Sequence, residues 1–320
     1  RSGFMRLSIL LGCLLCCHGV AADFPSVSAL RDGTQVVFRS GSHELGRYQA
    51  EAGSLPRSEI PERYRRGGYL HPLLTPSGRC VTDDFPVNHL HHHGVWSPWA
   101  KTEFEGRHPD FWNMGDGTGR VEFLAVDRLS NDASGAGLVS RHQFVDLVST
   151  PSQVVLVETW EVRASVRQGP ATAYQWDWKS TQRCAGRSAL TLPEYRYGGF
   201  GLRGNWAWNG ADHGLFLTSE GETNRVRINA SRARWFWMGG PLDGVIAGMA
   251  VLCHPSNFRF PQPIRLHPDE PFFCFAPQQL GVMTIRPGEP YEAGYRLLLM
   301  DGLPDREFLD AVWKEYAAGP

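Results

Sequence analysis

The chain lacks most of the features from which an activity is usually read. No charge prevails: 33 Asp and Glu stand against 32 Lys and Arg, a formal net charge of -1. With no long basic run either, the electrostatic footprint of a nucleic-acid binder is excluded. After residue 22 there is no apolar stretch able to span a bilayer. A GxSxG elbow, an HExxH helix, a Walker loop and a Rossmann GxGxxG are all missing; the spaced glycines of "GFGLRG" (199–204) lie among strand signals with no helix after them. No two cysteines have CxxC spacing, no repeat recurs, and no shift in composition marks a linker.

What is present begins with an export pattern. Met5 reads as the start, with Arg1–Phe4 a remnant ahead of it. Arg6, the apolar run Leu7–Val20 and the small residues Val20-Ala21-Ala22 form a signal peptide over 1–22. The expected location is therefore periplasmic or secreted, with lipid anchoring through Cys13 of "LLGC" ranked second. Three of the seven cysteines fall in this segment; Cys80, Cys184, Cys253 and Cys274 remain, either as up to two disulfides or as free buried thiols.

Strand signals dominate residues 23–320, which are expected to form one domain. β-Branched and alternating runs occupy 34–39, 120–129, 138–148, 153–166, 171–182, 214–220, 233–240, 245–254 and 291–300, each bounded by Gly, Pro, Asn or Asp. Alternation sets Gln175, Asp177 and Lys179 on the face opposite Trp176 and Trp178. One segment, "PDREFLDAVWKEYAA" (304–318), has a capped start and a single apolar stripe at helical spacing. Many strands and one terminal helix predict an all-β fold, a large antiparallel β-sandwich with a C-terminal helix. The polar, arginine-rich loop 53–68 is expected either to be mobile or to cover the edge of a site.

The chemistry concentrates in "FPVNHLHHHGVWSPW" (85–99), which holds four of the chain's 12 histidines. As a strand it would send His89, His91 and His93 to one face and His92 to the other, a set able to take a divalent metal with a carboxylate from elsewhere. The HxHHH spacing is not a closed zinc signature. Alternatively the imidazoles act as acid/base groups, or they only hydrogen-bond around a polar turn.

The stretch "YLHPLLTPSGRCVTDDFPVNHLHHHGVW" (69–96), with "DFW" (110–112), "YGGFGLRG" (197–204) and "CHPSNFRFPQP" (253–263), resembles the PmoA-like family of secreted bacterial proteins. His89, His91 and His92 match that family's histidines; its acidic first position is Asn88 here, which removes a carboxylate beside His89. The methane monooxygenase subunit behind the family's name is a membrane protein, and methane oxidation is not carried over to a chain without a span. The resemblance implies a galactose-mutarotase-like supersandwich, a fold shared by sugar epimerases, polysaccharide lyases and some glycosidases.

Three functions are open on this basis. The first is an exported carbohydrate-active enzyme (epimerase, lyase or glycosidase) in which His89 and His92 do acid/base work and Tyr197 or His254 opposes them. Arg203 would hold a substrate carboxylate or steady an enolate-like oxygen. His71, His91, Trp96, Trp112, Trp176 and Asp177 would line the sugar site. The second is a metal-dependent hydrolase or oxidase built on the histidine cluster. The third is a glycan-binding protein without catalysis. The expected partner in the first and third cases is a sugar or glycan, with no nucleic acid and no membrane span.

Overall fold

The computed structural model describes residues 26–319; the export segment 1–22 and Cys13 lie outside the described residues. In chain order the strands are β1 (Val27–Asp32), β2 (Gln35–Ser40), β3 (His43–Gln49), β4 (Tyr69–Leu73), β5 (Val95–Trp96), β6 (Gly119–Asp132), β7 (Gly135–Asp146), β8 (Gln153–Arg167) and β9 (Ala173–Cys184). There follow β10 (Leu190–Leu192), β11 (Gly201–Arg203), β12 (Leu215–Thr218), the short helix α1 (Arg225–Ile228), β13 (Trp235–Leu242), β14 (Val245–Cys253) and β15 (Ile264–Leu266). The chain closes with β16 (Phe272–Phe275), β17 (Met283–Ile285), β18 (Tyr291–Asp301) and α2 (Arg306–Ala318). Every segment expected to be a strand is one, and the expected terminal helix is α2.

Two eight-stranded antiparallel sheets make the sandwich. One runs β1-β2-β3-β4-β5-β11-β16-β15, the other β12-β13-β14-β18-β9-β8-β7-β6, with β10-β17 as a separate pair. The two-residue period of a strand divides each sheet into an inner and an outer face. Inward go Leu70, Val95, Leu202, Phe273 and Phe275 from the first sheet and Trp160, Trp176 and Trp178 from the second, all in one core. Buried within that core, Tyr48 Oη meets His142 Nε2 at 2.7 Å, His142 Nδ1 meets Glu158 at 3.1 Å, and Gln182 joins Glu158 to Trp99. The four cysteines Cys80, Cys184, Cys253 and Cys274 are free, so neither possible disulfide forms. No described helix is long and apolar enough to cross a membrane.

The outer faces are used differently. On the second sheet, α2 lays Leu309 and Val312 over Trp235, Trp237, Leu252 and Leu298; Asp305 caps its first turn by accepting from Phe308 N. On the first sheet the outer face carries Tyr69, Trp96, Phe272 and Cys274, joined by Trp112 from a loop. The histidine stretch lies on this aromatic layer, and it is not a strand. Residues 86–93 turn twice, with His92 N bonded to His89 O at 2.8 Å, so the expected one-face set of His89, His91 and His93 does not form.

Gly94 fixes where that turn re-enters the sheet. A Cβ there would lie 2.2 Å from the Leu70 carbonyl oxygen, a backbone atom with no freedom to move aside. Gly94→Ala should therefore destabilise the protein by about 1–3 kcal/mol, as overpacking does. Urea unfolding measures it; a midpoint equal to wild type would show the contact is not as close as described.

Candidate functional site

Strand register brings the charged centre together. Arg203 ends β11 opposite Phe272 of β16, and pairing sets its side chain on the outer face, away from Leu202. Glu270 sits two residues before β16, on a turn that His267 Nδ1 holds by accepting from Asp269 N and Glu270 N, each at 3.2 Å. Arg203 Nη1 donates to Glu270 Oε2, its Nη2 donates to Asn209 Oδ1 at 2.9 Å, and Asn88 Nδ2 donates to Glu270 Oε1 at 2.6 Å. Asn88, beside His89 in the chain, thus ties the histidine turn to the Glu270 carboxylate.

The histidines gather above this pair. His89 Nδ1 lies 3.0 Å from Glu270 Oε2, out of line for a good hydrogen bond and without another partner. The His89 and His92 rings stack with centroids 4.7 Å apart and planes 20° apart, and His91 meets both edge-on. His92 rests on Phe272 and Trp96, at 4.6 and 5.2 Å between centroids. The His89 side chain is 30% exposed, whereas Arg203 is fully buried and His92 is buried, so His89, with the half-buried His91, meets solvent.

Electrostatics assigns protons. Burial pushes the Glu270 carboxyl up, but the adjacent His89 and Arg203 outweigh it and hold the group at about 2, ionised at neutral pH. Burial, then the neighbouring His91 ring and the Arg203 charge, hold His92 well below the usual imidazole range; burial and the His89 and His93 rings take His91 down to about 3. Both are neutral. Arg203 Nη1 lies 3.4 Å from His92 Nδ1, and a guanidinium can only donate. The Nδ1 lone pair therefore faces Arg203, and the proton of neutral His92 sits on Nε2.

Behind the turn is a second group. His93, expected among the ligands, points away to Asp84, Nδ1 to Oδ1 at 2.6 Å, and stacks on Tyr69 at 4.4 Å. Tyr69 Oη donates to the other Asp84 oxygen at 2.9 Å, and His71 Nδ1 meets Thr82 Oγ1 at 2.9 Å. Burial raises the Asp84 carboxyl to about 6.

The residues expected at the site divide into three places. His71, His89, His91, His92, Trp96, Trp112 and Arg203 share the outer face of the first sheet. Tyr197 adjoins them one ring back: Trp112 lies 6.3 Å from His92 and 5.3 Å from Tyr197, whose Oη accepts from Asn113 at 3.1 Å. Trp176 is sealed in the core against Phe38. Asp177 and His254 lie on the opposite side of the sandwich, lining a groove of about 460 Å³ with Arg296 and Tyr316. Asp177 is bidentate to Arg296, and His254 packs on Tyr316 at 4.9 Å. His254 is therefore not placed to oppose His89, and Trp176 and Asp177 are not placed to line that site. Arg203 is corrected as well: Glu270 already occupies the guanidinium expected to meet a substrate carboxylate. Glu270, Asn209 and His267 were not anticipated as partners because they lie outside the quoted stretches, and Tyr69 and Asp84, although inside 69–96, were not singled out within it.

The neutral histidines have a measurable consequence. Unfolding returns His91 and His92 to ordinary imidazole behaviour, so the unfolded chain takes up protons that the folded chain refuses below about pH 6.5. Their contribution to stability is complete above that pH and is lost as pH falls toward the folded value, about 3 for His91. His91→Gln should therefore lose less stability than wild type between pH 7 and pH 4 in parallel denaturant titrations. Identical pH slopes would contradict the assignment.

No curated protein matches the chain. Residues 35–314, which include every strand but β1 and every group of the histidine site, match DUF6807, described as a family of unknown function, and the chain belongs to that family.

Proposed function

We propose that this chain is an exported carbohydrate-active enzyme that uses histidine acid/base chemistry on a sugar or glycan, as an epimerase, lyase or glycosidase. The observation that carries the acid/base part is the partly exposed His89 stacked on neutral His92 beside one ionised carboxylate. Glu270 favours a proton on His89 Nδ1, which leaves the Nε2 lone pair for substrate. His89 then takes a proton from the sugar, and Glu270 offsets the imidazolium charge that forms. His92, locked as the Nε2–H tautomer by Arg203, donates to the oxygen that gains negative charge. Arg203 is a positioning residue that holds Glu270 and fixes His92. The sugar is supported by the sandwich architecture, which suits the galactose-mutarotase-like fold implied by residues 69–96, and export by the pattern of residues 1–22.

A second reading has one specific observation behind it. His89, His92 and Glu270 can each place a ligand atom within 4.8 Å of the others, as a divalent metal would require. The donor set of two imidazoles and a carboxylate suits zinc or a first-row transition metal. Arg203 opposes it, because its Nη1 already contacts Glu270 and approaches His92 Nδ1, and a metal there would face a buried cation.

The test is a panel of sugars, uronates and oligosaccharides followed by NMR, which separates epimerised, unsaturated and cleaved products. Wild type should turn over one class, and His89→Asn and Glu270→Gln should each lower kcat by about 10²–10⁴. Turnover unaffected by either substitution would overturn the proposal; binding without turnover would favour a glycan-binding protein. Elemental analysis of untagged protein should find no stoichiometric metal, and one equivalent of zinc or copper would establish the second reading.

A further inference from the structure

On the outer face of the first sheet, two guanidiniums line one cavity that the histidine site does not use. The cavity holds about 280 Å³, opens to solvent, and has Glu194, Tyr195, Arg196, Asn229, Arg265 and Gln279 in its walls. Arg196 is exposed and Arg265 half-buried, and neither forms an ion pair among the described residues. Arg265 Nη1 donates to Asn229 Oδ1 at 3.3 Å, while its Nε is sealed without an acceptor. Burial, then the neighbouring Arg196 charge, lower the Arg265 guanidinium from its ordinary range, so the two like charges act on each other. Both groups stay charged, and an anion between them would offset that repulsion.

The walls are tied in place from both sides. Arg265 pairs with Cys274 between β15 and β16, and the Asn229 oxygen that receives its guanidinium also accepts from Leu266 N at 3.2 Å. Opposite, Gln279 Nε2 donates to the Arg196 carbonyl at 2.9 Å, and Tyr195 N donates to Gln278 O at 3.3 Å. The Arg196 guanidinium stands 6.0 Å from the Tyr195 ring and 5.5 Å from the Tyr197 ring. Such contacts orient a cation without neutralising it. Lys101 adds a further positive charge, 5.4 Å from the Tyr195 ring and with no ion pair among the described residues. Glu194, the one acid in the walls, is exposed and bonded to neither arginine.

We propose that Arg196 and Arg265 form a binding site for one carboxylate group, received between the two guanidiniums in this cavity. A carboxylate offers two oxygens, and each guanidinium presents paired donors to meet them. Two guanidiniums against one acid leave the walls attractive to an anion. The volume falls just below the range of about 300–1,000 Å³ for ligand pockets, so it suits an acidic group with the ring that carries it rather than a chain. Arg203, which the sequence singles out for an acidic sugar, is already held by Glu270; Arg196 and Arg265 have no such carboxylate. The cavity also shares a face with the histidines, since Tyr197 lies against Trp112 and Trp112 against His92. The carboxylate belongs either to a free small acid or to an acidic sugar, and for the second source the inference rests on the proposed function.

Titration calorimetry with acetate, glucuronate and glucose distinguishes these. Wild type should bind glucuronate more tightly than glucose, and the affinity should fall as salt rises, since the site is open to solvent. Acetate and glucuronate binding together identify the carboxylate as sufficient; glucuronate alone identifies the acidic sugar. Arg196→Gln and Arg265→Gln should each weaken binding at least about tenfold, as loss of a charge-assisted hydrogen bond does. Arg196 is exposed, so its substitution leaves the fold intact and decides the matter even if Arg265→Gln fails to fold. No carboxylate binding to wild type, binding unchanged in Arg196→Gln, or equal affinity for glucose would overturn the site. The outcomes separate from those of the proposed function: carboxylate binding with no sugar turned over removes that reading alone, and turnover without Arg196-dependent binding removes this site alone.

Discussion

A buried guanidinium and carboxylate, Arg203 and Glu270, hold the candidate site together. Taking both charges out of water is expensive, and attraction between them offsets that cost only when the remaining donors and acceptors are also satisfied. Here Asn88 and Asn209 supply much of that satisfaction, and both come from loops. The pair thus joins a strand end, the turn before β16 and the histidine turn, three segments that no shared strand would bring together. It also determines chemistry, since the same guanidinium that neutralises Glu270 prevents His92 Nδ1 from carrying a proton.

The sandwich makes this possible by giving each sheet a second face. On one side α2 covers the outer surface with leucine and valine, while the neighbouring strands carry compensated charges such as Asp177 with Arg296. On the other side the outer surface is aromatic. Trp96, Trp112 and Phe272 form a rigid, poorly solvated floor on which imidazoles lose their protons. Gly201 contributes by absence: a Cβ there would lie 2.7 Å from the Trp112 ring. Burial of neutral histidine against this floor and exposure of His89 at its edge follow from the same packing.

Most of the fold was legible in the sequence. Alternation in "YQWDWK" correctly set Trp176 and Trp178 on the face opposite Asp177, and the stripe of 308–316 correctly gave α2. The site was legible only as a location. Its histidines stand out by crowding, but alternation could not apply to them once Pro86 and the turn at 86–93 broke the strand, so His93 fell out of the set. Glu270 was invisible because "HPDEP" looks like any polar turn; only the antiparallel register of β11 with β16 makes it Arg203's neighbour. His254 and Asp177 misled for the complementary reason. Residue type marked them as site-like, while strand parity in the second sheet carried them to the far side.

The site's chemistry depends most directly on His92 being neutral with its proton on Nε2, because that single tautomer expresses both the dry aromatic floor and the control exerted by Arg203. Long-range nitrogen–proton NMR of histidine-labelled protein reports tautomer and charge for each ring. The His92 imidazole should stay neutral from pH 5 to pH 8, with Nε2 protonated and Nδ1 bare. A His92 ring that titrates near its usual value of about 6.5, or one protonated on Nδ1, would contradict it.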